Sequence, residues 1–220
     1  MKKLTKYIEE KLLINKNFKS DASFIYKLEN KEKIRIFCER WPQFNNYKDK
    51  VYINGEHVKI DNEGETIKKF NPGEYEVYIE DIDNVISCGS MFVSCKQLIY
   101  VPEFNTSKSD NFNNMFNGCI NLKEVSLFDT SNGRFAFFMF GKCKKLKTVP
   151  KYDFLNCEDF DFMFDTCTIL KDVPLFNMNI DKVKSMSDIF GGCENLSDDT
   201  IEEWKQIYDF TNCCKNENIN

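Results

Sequence analysis

The sequence predicts an α+β fold: a solenoid of five coils of about 24 residues, each a short helix followed by a short strand. A β cap precedes the coils and a helical cap follows them. Two observations carry this expectation. First, Cys95, Cys119, Cys143, Cys167 and Cys193 are spaced 24, 24, 24 and 26 residues apart, and Phe92, Phe116, Phe140, Phe164 and Phe190 run in step with them. Leu98, Leu122, Leu146, Leu170 and Leu196 do the same, so the unit reads M-F-x-x-C-x-x-L-x-x-V-P. Self-similarity at a fixed period of this size signals repeats that stack because none can bury its apolar face alone. Second, the apolar spacing inside each unit changes from a helical period to an extended one.

Four segments follow from the pattern. Residues 1–18 open with an amphipathic stretch in which Leu4, Ile8 and Leu12 are four apart, with Lys and Glu between them. Such a helix either packs on its own domain or serves as a detachable docking segment, because a short isolated helix is marginal in water. Residues 19–84 read as a small β domain or cap, with strands expected at 23–28, 33–38, 51–53, 56–60, 66–70 and 75–79. Asn54-Gly55 between two of these is a hairpin signal, since both residues tolerate the positive φ of a type I′ turn. Residues 85–196 hold the repeats, and residues 197–220 a capping helix and a polar tail. Ser197 or Asp198 is placed to cap that helix, with Ile201, Trp204 and Tyr208 on its apolar side.

Within the repeats, Phe112, Met115, Phe116 and Cys119 sit at i, i+3, i+4 and i+7, the spacing of one helix face. The other units repeat it, as in Phe160, Met163, Phe164 and Cys167. A short strand such as Leu122 to Val125 comes next, and a proline ends it in three units, with Ser126 standing there in the second. An aromatic column follows, formed by Phe104, Phe128, Tyr152 and Phe176, and a polar column directly behind it by Asn105, Asp129, Asp153 and Asn177. Asn and Asp side chains satisfy backbone groups of turns.

These units resemble the BspA-like leucine-rich repeats, in the variant found in bacterial and mycoplasma surface proteins. Phe128-Asp129-Thr130-Ser131-Asn132 and Phe104-Asn105-Thr106-Ser107 match the first half of that repeat, and Asn117-Gly118-Cys119-Ile120-Asn121-Leu122 the second. The resemblance covers about residues 88–196 and implies a leucine-rich-repeat-like architecture with an adhesive or recognition role.

Composition narrows the chemistry. The chain has 220 residues, a net charge of −5 and a pI near 5.2, which argues against a nucleic-acid partner. No run of residues is apolar enough for membrane insertion, and the N-terminal apolar stretch is shorter than the roughly 7–15 residues of an export signal. A cytoplasmic or virion-associated location is therefore expected. The ladder cysteines read as small buried hydrophobes rather than metal ligands or disulfide partners, because one cysteine per repeat matches no zinc spacing. Cys213 and Cys214 are the thiols expected to be exposed. The only histidine, His57, falls on the predicted hairpin with no nucleophile beside it in the sequence. No catalytic, cofactor or metal site is expected, and the protein is read as a non-enzyme.

The candidate binding surface is the solvent-facing side of the repeat strands. It comprises Tyr100 after Ile99, Lys123 and Glu124, Lys147 and Thr148, and Lys171 and Asp172. Stacked strands lie about 4.7–4.9 Å apart, so these positions form one patch. The expected partner is another protein or a surface glycan. The alternative is a structural part of a larger particle, such as a bacteriophage virion, docked through residues 1–14. If those residues dock, their removal leaves the melting curve unchanged and abolishes joining of the native assembly. A lowered melting temperature on truncation assigns them to the protein's own core.

Overall fold

The computed structural model describes residues 23–207. The expected helix and docking segment of residues 1–14, Tyr208 and the tail with Cys213 and Cys214 lie outside the described residues. Strand β1 (Ser23–Leu28) is followed by a one-turn helix α1 (Phe44–Tyr47), then β2 (Val51–Ile53), β3 (Glu56–His57) and β4 (Gly73–Ile79). The repeats contribute β5 (Leu98–Val101), β6 (Glu124–Val125), β7 (Asp153–Phe154) and β8 (Asn177–Met178), and α2 (Asp198–Lys205) follows them. The first six strands form one sheet in the order β3-β2-β4-β1-β5-β6, antiparallel except for the parallel pair β5–β6. Strands β7 and β8 form a separate parallel pair. Among the described residues no helix is long and apolar enough to cross a membrane.

Strands β1, β2 and β4 fall at their expected positions, while the strand expected at 56–60 is cut to Glu56–His57, with Ile60 only bridged to Thr66. Asn54 and Gly55 hold φ of +49° and +83° in the turn between β2 and β3. The strands expected at 33–38 and 66–70 shrink to isolated bridges, Glu32 with Phe70 and Arg35 with Glu65. Their edge is irregular because a side chain substitutes for backbone: the Ile34 N–H donates to Thr66 Oγ1 at 3.0 Å. Gly64 also enters the pairing, its carbonyl accepting from the Ile36 N–H. It holds φ of +83°, and a Cβ there would lie 2.1 Å from the Phe37 carbonyl oxygen, so no other residue fits.

The expected solenoid of five helix-and-strand coils is not formed. The protein is mainly β, a mixed six-stranded sheet and a small two-stranded one. Helix is confined among the described residues to α1, α2 and the 3₁₀ turns Ile82–Asn84 and Ile180–Lys182. The segments read as helices are runs of tight turns. In the first unit the N–H groups of Met91, Cys95 and Leu98 bond three residues back, to Cys88, Phe92 and Cys95. The N–H groups between them go to the next unit: Ser90 to Asn113, Phe92 to Met115 and Ser94 to Asn117, all at 2.8–2.9 Å. The scheme recurs, with Phe112, Asn114, Phe116 and Gly118 donating to Phe135, Phe137, Met139 and Gly141. An α-helix would need those same N–H groups internally. Left-handed residues also interrupt every segment: Ser90 and Ser94, Asn114 and Gly118, Phe138 and Lys142, Phe162 and Thr166, Asp188 and Gly192.

The apolar spacing still marks the core. Met91, Phe92, Met115, Phe116, Met139, Phe140, Met163 and Phe164 are fully buried. Phe92, Phe116, Phe140, Phe164 and Phe190 stack in a column with centroids 5.4–5.7 Å apart. Phe104, Phe128, Tyr152 and Phe176 form a second column at 5.6–6.0 Å. Trp204 on α2 closes both, edge-on to Phe176 and Phe190, and Ser197 caps α2 by accepting the Thr200 N–H. Strand β1 lays Phe24 against Phe92 and Phe104 at the other end.

The ladder cysteines Cys95, Cys119, Cys143 and Cys167 are buried, as are Cys38, Cys88 and Cys157, while Cys193 in the last unit is half-buried. Each thiol in the ladder has an acceptor. Cys119 Sγ donates to the Phe92 carbonyl at 3.0 Å, Cys143 to Phe116 at 3.3 Å, and Cys167 to Phe140 at 3.1 Å. Burial pushes these thiols well up, and those of Cys88 and Cys157 to about 12. The polar column closes turns as expected at Asn105, Asp129 and Asp153, whose Oδ1 accepts the N–H two residues on. In the fourth unit Asn179 does so, bonding the Asp181 N–H at the 3₁₀ turn Ile180–Lys182, where the step between units lengthens from 24 to 26 residues. At a position that is proline in three other units, Ser126 supplies the N–H that proline lacks, donating it to the Val101 carbonyl at 3.0 Å; its carbonyl accepts from the buried Tyr152 hydroxyl.

One surface edge carries alternating charge: Asp110, Arg134, Glu158 and Lys184 follow one another along a backbone ladder. Lys184 and Arg134 both bond the Glu158 carboxylate and hold its pKa at about 2.

Two measurements follow. Phe140→Ala is expected to cost about 3–5 kcal/mol in denaturant unfolding, since it empties the centre of the first column; an unchanged midpoint means that the column does not bear on stability. Glu158 is depressed in the folded state, so its stabilisation is complete above the unfolded value of about 4.3. It is lost as pH falls through about 2. Wild type is expected to melt above Glu158→Gln at neutral pH and to converge on it near pH 2, and a gap that persists there excludes the ion pairs as its source.

Candidate functional site

The strand face read from the sequence is only partly a surface. Ile99 is buried rather than solvent-facing. Tyr100 lies inside the sheet, between Ile25 of β1 and Glu124 of β6, with its hydroxyl 3.3 Å from Ser126 Oγ. Its ring is half-buried, so it contributes an edge to the face rather than a projecting anchor. Lys123, Glu124, Lys147, Thr148, Lys171 and Asp172 are all exposed.

The backbone brings them together in two pairs. Lys123 donates its N–H to Ile99, beside the Tyr100–Glu124 pairing, and Lys171 donates to Lys147, beside the Thr148–Asp172 bridge. Among the described residues no such bond joins 123–125 to 147–149; the second and third units are tied through their turns instead.

The structure adds four lysines that the strand pattern did not single out. Lys142, Lys144, Lys145 and Lys151, which flank Lys147 in the sequence, are exposed as well, because only Cys143, Leu146 and Val149 of that run face the core. The signal was present in Lys142-Cys-Lys-Lys-Leu-Lys147, a run with no acid in it. None of these lysines, nor Lys123 or Lys171, is ion-paired with a carboxylate among the described residues. Asp172 accepts from the Ser197 hydroxyl at 3.2 Å, which ties the face to the cap of α2. The face is thus a basic surface on an acidic chain.

Two other features have polar chemistry. A cleft of about 490 Å³ lies between the N-terminal strands and the first unit, with Arg35, Cys38, Arg40, Lys96 and Gln97 in its lining. Arg35 is held there by Glu39 at 2.9 Å and Glu65 at 3.6 Å, and Gln97 Oε1 is buried without a hydrogen-bond partner. Asp61, Glu63 and Glu65 bring three carboxylate oxygens within 4.8 Å of one another. Asp61 is already committed, to Lys33 at 2.7 Å and to the N–H groups of Glu63 and Glu65, which is the geometry of a turn. His57 is exposed on the β2–β3 hairpin, its Nε2 2.9 Å from the Asp49 carbonyl oxygen.

Units that stack in register on a shared core define a repeat protein. The family model described as "Mycoplasma protein of unknown function, DUF285" matches residues 66–173 and 159–216, more than half of the chain, and the chain belongs to this family. No curated protein and no solved structure matches it.

Proposed function

We propose that the protein is a non-enzymatic recognition module of the BspA-like kind that binds an acidic surface of another protein through the face of Lys123, Lys147 and Lys171. The observation that carries the reading is the run of exposed lysines without ion-pair partners among the described residues, on a chain of net charge −5. Like charges held side by side repel, and a partner's carboxylates relieve that repulsion. Rigid stacked units suit this role because they hold the lysines at fixed separations before binding.

The test is affinity capture from the native source with the wild type and with Lys123→Glu/Lys147→Glu/Lys171→Glu. These positions are exposed, so the variant is expected to melt close to the wild type. It is expected to lose a saturable protein partner whose binding weakens with added salt. Retained capture by the variant, or binding that salt leaves unchanged, overturns the reading, as does capture of a neutral glycan with no protein.

A further inference from the structure

We propose that Phe137, Phe138 and Phe162, together with Asp161, Asp165 and Asp188, form a docking site for an arginine or lysine side chain of a partner protein. It adjoins the lysine face at Lys142, whose N–H donates to the Asp165 carbonyl, but does not rest on the reading of that face.

The three rings are only half-buried and stand where other units carry small or polar residues: Gly89 and Ser90 in the first, Asn113 and Asn114 in the second, Ser187 and Asp188 in the fifth. The fold does not require aromatics there, since the inward positions of the third unit are already filled by Ala136, Met139 and Phe140. The rings are nonetheless fixed. Phe138 and Phe162 stack with centroids 4.8 Å apart and planes 8° from parallel. Phe137 stands at 86° and 85° to them, 4.7 and 6.0 Å away. Gly141 leaves the room in which Phe138 lies; a Cβ on it would sit 2.6 Å from Phe138 Cδ1.

Three carboxylates flank the rings, against one cation, Lys142, whose N–H donates to the Asp165 carbonyl. Asp161 precedes Phe162, and the Asp165 N–H closes a turn onto the Phe162 carbonyl at 3.0 Å. Phe162 donates to Ser187 at 2.9 Å, which places Asp188 beside it in the next unit. Asp161 Oδ1 accepts from the Ser187 N–H and the Ser185 hydroxyl, and Asp165 Oδ2 accepts from the Thr166 hydroxyl. None of the three carboxylates is ion-paired among the described residues. An aromatic face attracts a cation through its quadrupole, and a planar guanidinium stacks on it while bonding a carboxylate at its edge. A basic side chain satisfies rings and carboxylates together; an apolar one leaves the carboxylates without a counterion.

The experiment titrates the full chain with acetyl-Gly-Arg-Gly-amide, followed by proton NMR of the arginine δ-methylene. Comparison probes carry Gln or Leu in place of Arg, and methyl β-glucoside serves as a neutral sugar. A saturable upfield shift of the arginine signal is expected, with the Gln and Leu probes weaker. Phe138→Asn/Phe162→Asn is expected to fold, since the second unit uses Asn114 at this left-handed position, and to bind the arginine probe about tenfold more weakly. Asp165→Asn/Asp188→Asn, which leaves the rings in place, is expected to weaken binding and reduce its salt dependence. The proposal is overturned if the arginine probe does not bind, if the Gln or Leu probe binds equally, or if the phenylalanine variant binds as wild type. Sugar binding that disappears in that variant overturns it in favour of a glycan site.

Discussion

A backbone N–H can be used once, and the repeats depend on where each is used. Alternate donors in the first four turn segments cross to the next unit, Phe116 to Met139 and Phe140 to Met163, both at 2.8 Å, and those between them close turns within the unit. The two uses fix each other. Crossing bonds hold successive units in register, and register places Phe on Phe and the thiols of Cys119, Cys143, Cys167 and Cys193 each against a carbonyl of the unit before it. A thiol there fills the volume of a small apolar side chain and also serves a carbonyl oxygen. Tyr152 repeats that economy on another side, its ring in the aromatic column and its hydroxyl on Ser126.

The same constraint explains what the sequence revealed and what it hid. Burial was legible, because 3-, 4- and 7-residue spacings name the inward positions whether the chain between them is helical or a succession of three-residue turns. Helix was inferred wrongly because nothing local distinguishes those cases. The left-handed positions that break the helix are filled by Ser90, Ser94, Asn114, Phe138, Phe162 and Thr166 as well as by glycine, so no run of glycines marks them. Hairpin chemistry is local, and Asn54-Gly55 was correspondingly plain. The bridges around Ile34 and Ile36 depend on Thr66 and Gly64, some thirty residues away, and no window of sequence contains both partners.

The surface was legible where it alternates with the core. Lys123, Lys147 and Lys171 are outward because Leu122, Leu146 and Leu170 are inward. Tyr100 was misplaced because β1 covers the first unit's strand on its other edge, a contact of residues far apart in the chain. Phe137 and Phe138 had no role in the repeat pattern, which accounts for Ala136, Met139 and Phe140 around them.

The 26-residue step has a consequence for how such a chain can change. The two extra residues fall between the β7–β8 pairing, where Phe154 faces Met178, and the bridge of Asp159 with Ser185. The 3₁₀ turn Ile180–Lys182 lies between those points, and its residues are not buried. Length has thus been gained at a corner while both flanking registers stay intact. An inserted loop or a sequence tag placed at 180–182 would enter at a joint that already tolerates slack, whereas the same insertion between Phe140 and Cys143 would part the units on either side.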